Sequence, residues 1–324
     1  MRVSKPLIYS FTLTAFGSFS QVHANDNACE MSHSFTHNGS HTKILSASKG
    51  TPSLYYRTKM NVNTDGASRS YHPDDPNGSN IAYNNMANAI TAAWNASGQR
   101  ITCDGGKAEN RKGKCYAEFI QSFEGARDVD YNPGKYPRVE TGSIIPWLKT
   151  GSIDWPRPCQ IAEGTNKGFF VSQTSLRLSA GSTCDPSIYV DSLSINAVVH
   201  PRLTKWSSQG IVTDGGDLVV LRNRNNGKIA YAIHGDRGPE GKLGEGSIAL
   251  TSNLSGTPVL STDSYKEIKK LSLASVDYLV FPASDVVRHF GKTETITQDK
   301  IDQYGTEIFE QWGGVARLNA CASL

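Results

Sequence analysis

Short β-type runs recur along the second half of the chain: "GFFVSQTSLRL", "DSLSINAVVH", "GDLVVLRN", "KIAYAIHGD", "GSIALTSNL" and "VDYLVFP". Turn residues separate many of them at intervals of about ten residues, the spacing of a β-sandwich or barrel. The stretch "NRNNG", Asn223 to Gly227, reads as a hairpin turn between "DLVVL" and "KIAYAI". In that second run Ile229, Tyr231 and Ile233 share one face, and Ala230, Ala232 and His234 share the other. Both sets are largely apolar, so the strand is expected to be covered on both sides. Helices are fewer. "NIAYNNMANAITAAWNASGQ" is the early candidate, weakened by its asparagines, and Thr297 to Gln311 is the terminal one, with Gly305 inside it. No Gly/Ser linker divides residues 51–324. The expected architecture is mainly β: a single domain with a barrel-like β core and a few peripheral helices.

The first 24 residues carry the parts of a secretory signal. Arg2 and Lys5 form a charged start, Leu7 to Phe19 is mostly apolar, and Val22-His23-Ala24 places small residues around a cleavage point. A secreted or periplasmic protein is expected, with no later run of the ~18 apolar residues a membrane span needs. Residues 25–50 are polar and rich in Ser, Thr and Asn, and read as a flexible lead-in. His33, His37 and His41 lie there at four-residue intervals, but Asn38 and Gly39 argue against a helical metal face. Six cysteines (Cys29, Cys103, Cys115, Cys159, Cys184 and Cys321) lack any C-x-x-C spacing. In an exported chain they are expected to form disulfides rather than a zinc site, and only Cys103 with Cys115 suggests a local pair. The net charge is +3, and about +1 without Arg2 and Lys5. That is no nucleic-acid footprint. No cofactor, metal or membrane partner is expected, and a monomer is.

The stretch "GDRGPEGKLGEGSIAL", from Gly235 to Leu250, places Asp236 at the end of one apolar strand and Glu245 at the start of the next apolar run. Between them lies a glycine-rich excursion that can bring the two carboxyls within a substrate's width and let backbone approach a ligand. Paired carboxylates are the apparatus of glycoside hydrolysis: one protonates the leaving oxygen, the other attacks or activates water. The glycines do not match a phosphate-binding loop, and "GEGSIA" is not a serine-nucleophile elbow. Asp65-Gly66 and Tyr71-His72-Pro73, upstream, read either as cleft-lining residues or as self-contained turns. Among the tryptophans, Trp155 has the most loop-like setting and is the candidate for stacking on a sugar ring.

The stretch "AIHGDRGPEGKLGEGSIAL" resembles the signature of glycoside hydrolase family 75, the chitosanases, in Gly235, Asp236, Gly244, Glu245 and Ser247. "KMNVNTDGASRSYHPDDPNGSNIAYNNMANA" is similar to the family's other segment through Asp65, Gly66, Tyr71, His72 and Pro73, and "DYLVFPAS" resembles a strand near its end. The resemblance runs from Lys59 to Ser284 and leaves Cys103 to Glu140 unmatched. It implies that Asp236 and Glu245 are the catalytic pair of an inverting endo-hydrolase of β-1,4-linked glucosamine polymers. Asp65 and His72, within the second matching segment, are the candidates for lining the substrate cleft or holding a loop beside it. Either acid fits either role, and Asp236 as base with Glu245 as acid is the working assignment. Chitosan is a polycation, which a near-neutral chain does not attract as a whole, so local acids (Asp65, Asp74, Asp75 and Glu240 are candidates) have to supply the field. The alternatives are a hydrolase of peptidoglycan glycan strands and a non-catalytic carbohydrate- or wall-binding protein.

Overall fold

The structure is a computed structural model that describes residues 28–37, 39–47, 49–102, 114–136, 138–149, 151–201, 212–291 and 294–324, with backbone only for 114 and 115. The signal-like segment 1–24 and Cys103 lie outside the described residues. The strands are β1 (Met31–His37), β2 (Thr42–Ala47), β3 (Leu54–Asn63), β4 (Ala92–Ala93), β5 (Val139–Glu140), β6 (Trp147–Leu148), β7 (Arg157–Pro158), β8 (Ala197–Pro201), β9 (Leu218–Asn223), β10 (Ile229–Gly238), β11 (Glu245–Ser247) and β12 (Leu273–Phe281). The main sheet runs β1-β2-β3-β11-β8-β10-β9-β12, and β12 pairs back onto β3, so β3, β11, β8, β10, β9 and β12 close a six-stranded barrel. The fold is therefore mainly β, as the spacing of short strands predicts.

Closure explains why these strands carry apolar residues on both faces. Tyr56, Met60, Val198, Val219, Leu221, Ala232, Tyr278 and Val280 fill the interior. Their neighbours along the same strands, Tyr55, Ala197, Leu218, Val220, Ile233 and Leu279, point outward. There they are covered by Ile301, Phe309 and Trp312 of the helix Gln298–Trp312 and by Leu318 of the helix Gly314–Cys321. β10 thus has both faces covered, as its composition predicts. The hairpin turn also forms: β9 and β10 pair antiparallel, and Gly227 donates its N–H to the Asn223 carbonyl.

Three local expectations are corrected. The segment expected to be a flexible lead-in instead holds the antiparallel hairpin β1–β2, and β2 adds to β3 through Leu45↔Tyr55 and Ser46↔Leu54. Its anchor is Ile44, fully buried in the barrel core, and Gly39 sits in the reverse turn rather than in a loose loop. The "SIAL" run is not a strand. β11 stops at Ser247, whose side chain accepts from the Leu250 N–H and caps a helix, Ile248–Ser255, that ends at left-handed Gly256. The early helix shrinks to a single turn, Met86–Ala89, and the following Ala92–Ala93 pairs with β5.

Two disulfides fasten the frame: Cys29–Cys321 and Cys159–Cys184. The first ties the N-terminal hairpin to the last helix across 292 positions, a closure that removes much chain entropy from the unfolded state. No described cysteine is free. The proposed pair Cys103–Cys115 falls outside the residues whose side chains are described. Denatured, unreduced protein is expected to give a thiol titration near zero; a value accounting for a pair of cysteines would place Cys103 and Cys115 in the reduced state.

On the outer face of β12, Asp277 is buried at 1% exposure and gathers the barrel onto the C-terminal helix. It accepts hydrogen bonds from Tyr55 Oη at 2.7 Å, Arg57 Nε at 2.8 Å and Arg222 Nη2 at 2.7 Å. Arg57 also donates to the Ala322 carbonyl, and Arg222 to Asn319.

Candidate active site

β8 sets the geometry of the acid pair. It lies between β10 and β11, and its Val199 is in register with Asp236 on one side and with Glu245 on the other. Residues in register across a sheet project from the same face, so both carboxyls leave the barrel on its outer side. Two strand spacings put their Cα atoms roughly 9.6 Å apart. The register of β10 against β8 shifts between His234 and Asp236, a bulge at Gly235. That extra residue places Asp236, instead of the glycine, opposite Val199.

The loop between the acids is held from both ends. Gly244 has φ +90°, and a Cβ there would come within 2.1 Å of the Lys59 carbonyl oxygen, so no other residue fits beside Glu245. The Gly244 carbonyl in turn accepts from the Asn61 N–H at 2.8 Å. On the far side, the N-terminal hairpin supports the loop. His37 Nε2 lies 2.9 Å from the Glu240 carbonyl and must donate to it, while Nδ1 lies 2.8 Å from Ser40 Oγ.

Asp65 joins the pair just beyond the end of β3. Its N–H donates to Asn63 Oδ1 at 2.6 Å, and Tyr71 Oη donates to its Oδ1 at 2.9 Å. The next residue, Gly66, has φ +90°, and a Cβ would strike the Val190 carbonyl oxygen at 2.0 Å. The Asp-Gly turn is thus fixed by close packing, and it delivers Asp65 to the acids.

Asp65, Asp236 and Glu245 line one cleft of about 1200 Å³. Five carboxylates face it (Asp65, Asp214, Asp236, Glu240 and Glu245) against the two guanidiniums of Arg177 and Arg237. The described lining is therefore richer in carboxyls than in guanidiniums although the chain is near neutral. Lys242 and Lys59 act on Glu245 from close by and temper it.

Three carboxyls in one partly dry cleft raise one another's affinity for protons. Burial, then the charge of Asp236, pushes the Asp65 carboxyl up to about 7, against the opposing hydrogen bond from Tyr71. Burial raises Asp236, and the N–H groups of Ser175 and Arg237, both 2.8 Å from its Oδ1, offset part of that rise by stabilising the anion. Burial raises Glu245 as well; Lys242 opposes it and Asp236 reinforces it.

The sign of the linkage follows for Asp65. The folded state keeps a proton that the unfolded chain releases near pH ~4, so this group's contribution to stability falls as pH rises from about 4 to about 7. Asp65→Asn is expected to melt higher than the parent at pH 8, with the gap closing at pH 4. It also removes a charge beside the pair, so the alkaline limb of kcat/KM moves to lower pH. Equal melting temperatures at pH 8 would show that Asp65 is not held protonated.

The other sequence-predicted residues go elsewhere. His72 packs edge-on against Phe169 at 4.7 Å, accepts the Asp74 N–H at its Nδ1, and does not line the acid cleft. Trp155 donates its indole N–H to the Asp130 carbonyl and walls a different pocket. Asp75 is taken up internally, accepting from the N–H groups of Ser79, Asn80, Ile81 and Ala82. Asp214, Ser175 and Arg177 were not read from the sequence. Asp214 opens the turn "DGGD", an Asp-Gly like that at Asp65-Gly66; Ser175 and Arg177 carry no motif. Among the described residues no group of His, Cys, Asp and Glu could hold a metal ion. No helix among them is long and apolar enough to cross a membrane. No known family model matches the chain. No curated protein matches it either.

Proposed function

We propose that the chain is an endo-acting glycoside hydrolase of the chitosanase type, cleaving β-1,4-linked glucosamine polymers by an inverting two-carboxylate mechanism. The observation that carries this is the shared register of Asp236 and Glu245 with Val199, which gives two half-buried acids on one face with one strand between them. Inversion requires carboxyls ~6.5–9.5 Å apart, with room for a water, against ~5–5.5 Å for a retaining pair, and two acids separated by a whole strand suit the wider gap. The carboxyl-rich lining supplies hydrogen-bond acceptors for the amino and hydroxyl groups of a glucosamine polymer. Among the described lining residues, Arg177 and Arg237 are the cationic groups that could meet the carboxylates of peptidoglycan, the wall-acting alternative. Export, proposed from residues 1–24, is supported by the two disulfides.

In this mechanism Asp236 is the base. Its two backbone donors favour the anion, so it is the carboxyl better suited to take a proton from water. Glu245, raised by burial, is the acid and gives its proton to the glycosidic oxygen. The bond from the anomeric carbon to that oxygen breaks as the new bond to the water oxygen forms on the opposite face. Asp236 ends protonated and Glu245 ionised, and exchange with solvent resets the pair. Asp65, protonated near neutrality, contributes a donor to the bound sugar without adding a third charge.

The test is reducing-end release from soluble chitosan, with chitin and peptidoglycan alongside. Proton NMR of the first product is expected to show the α-anomer before mutarotation. The β-anomer appearing first would replace the water-activating base with a covalent intermediate.

A further inference from the structure

We propose that a sugar chain lying in the acid cleft continues over the turn at Gly142–Ile144 into a second, aromatic pocket, which binds its distal amino-sugar rings. The proposal takes the acid cleft as the place where the chain is cut. The pocket has a volume of about 470 Å³, and Tyr131, Tyr136, Trp147 and Trp155 wall it. That size lies within the ~300–1,000 Å³ of sites that enclose small ligands.

The two cavities share one short wall. Thr141 and Gly142 line the aromatic pocket, while the next residues, Ser143 and Ile144, line the acid cleft. The turn is pinned on both sides. The Ile144 N–H bonds the Thr141 carbonyl at 3.1 Å, and the Ile144 carbonyl accepts from Gln173 N–H at 2.8 Å, on the strip that leads to Ser175. Along that strip the lining of one cavity passes into that of the other at the Gly142–Ser143 step.

The rings are arranged to offer faces rather than donors. Trp155 uses its indole N–H on the Asp130 carbonyl at 2.8 Å, and Trp147 uses its own on Thr141 Oγ1 at 2.7 Å. Trp147 is further locked edge-on against Tyr131 at 5.3 Å. Asp130 and Tyr131 both have φ +55°, a left-handed conformation that costs non-glycine residues and persists only where surroundings enforce it. That strained pair supplies both the carbonyl that orients Trp155 and the ring that backs Trp147. With both N–H groups spent inward, the indoles present apolar surface, and the ion-paired Arg138 and Glu140 provide a polar edge. A pyranose ring has the complementary form: apolar C–H faces and a rim of hydroxyl and amino groups.

Binding as a function of chain length tests this. The probes are glucosamine oligomers from trimer to heptamer, titrated by intrinsic tryptophan fluorescence and by calorimetry against Asp236→Asn protein, which is expected not to consume them. Affinity is expected to rise about tenfold or more from trimer to heptamer, and adding Trp155→Ala is expected to abolish that rise. A rise that survives Trp155→Ala overturns the proposal. Should Trp155→Ala lose its native circular dichroism, Tyr136→Ala carries the same comparison with the same two outcomes. Chitosan cleavage by the unaltered protein is read separately. Cleavage with no gain in affinity with length overturns the pocket and leaves the acid pair standing. A gain in affinity with length that depends on Trp155, with no cleavage, supports the pocket and counts against the acid pair alone.

Discussion

Asp236→Asn and Glu245→Gln are each expected to lower reducing-end release from chitosan by about 10²–10⁴-fold, the worth of a positioned general acid or base. Both substitutions keep side-chain size and hydrogen-bonding capacity, so the register of β10, β8 and β11 has no reason to change. Stability should hold or rise. Burial penalises both carboxylates in the fold, and a neutral amide removes that penalty. Loss of activity with an equal or higher melting temperature is therefore the signature, because a merely structural acid would lose both together. The losses in the double variant should fall well short of the product of the single ones, since acid and base act in one step. More than about a tenth of parental activity in either single variant would remove that residue from the chemistry.

How much of this was legible depends on whether the deciding interaction was local. The β9–β10 hairpin is specified by "NRNNG" between two apolar runs, and both faces of β10 are visibly apolar, so barrel-like burial could be read from adjacent residues. The terminal helix was read at Thr297 to Gln311 and is Gln298–Trp312, capped by the Thr297 side chain; its internal Gly305 packs its backbone against Tyr231. "SIAL" failed because a short apolar run has no period of its own. The run opens on its own helix cap, Ser247, which reads equally as a strand residue, and the Gly256 stop lies beyond it. The early Ala/Asn segment failed for the opposite reason. Its helix propensity is real, but Thr91 and Ala92 are claimed by Glu140, a partner some fifty positions away that no window contains. The same holds at the site. Asp236 and Glu245 are legible because one loop joins them. Asp214 arrives from the β8–β9 connection and Arg177 from a coil, and only barrel closure brings them to the cleft.

Replacing Asp277 is expected to do the greatest damage to the fold. Burial alone would raise this carboxyl, but hydrogen bonds from Arg57, Tyr55 and Arg222 outweigh it and hold it below the ordinary range. Arg222 is itself 8% exposed, so Asp277→Asn leaves a guanidinium in the protein interior without its counter-ion. Stranding one member of a buried pair costs about 3–5 kcal/mol, a large share of the ~5–15 kcal/mol that keeps a typical domain folded. At about 2–4 °C per kcal/mol for a domain of this size class, the melting temperature should fall by roughly 6 °C or more. Arg224→Met is the control. It sits 3.6 Å from the same carboxylate but is 37% exposed, and an exposed partner is worth ~1 kcal/mol or less. The pH dependence follows from the depressed carboxyl: its contribution is complete above the unfolded value near pH ~4 and is lost as pH falls through the folded one. Parent and Asp277→Asn should therefore converge in acid and separate most at neutral pH, the reverse of the Asp65→Asn pattern. Equal melting temperatures at pH 7 would mean that the three arginines find other partners, and that Asp277 does not bind the barrel to its C-terminal helix.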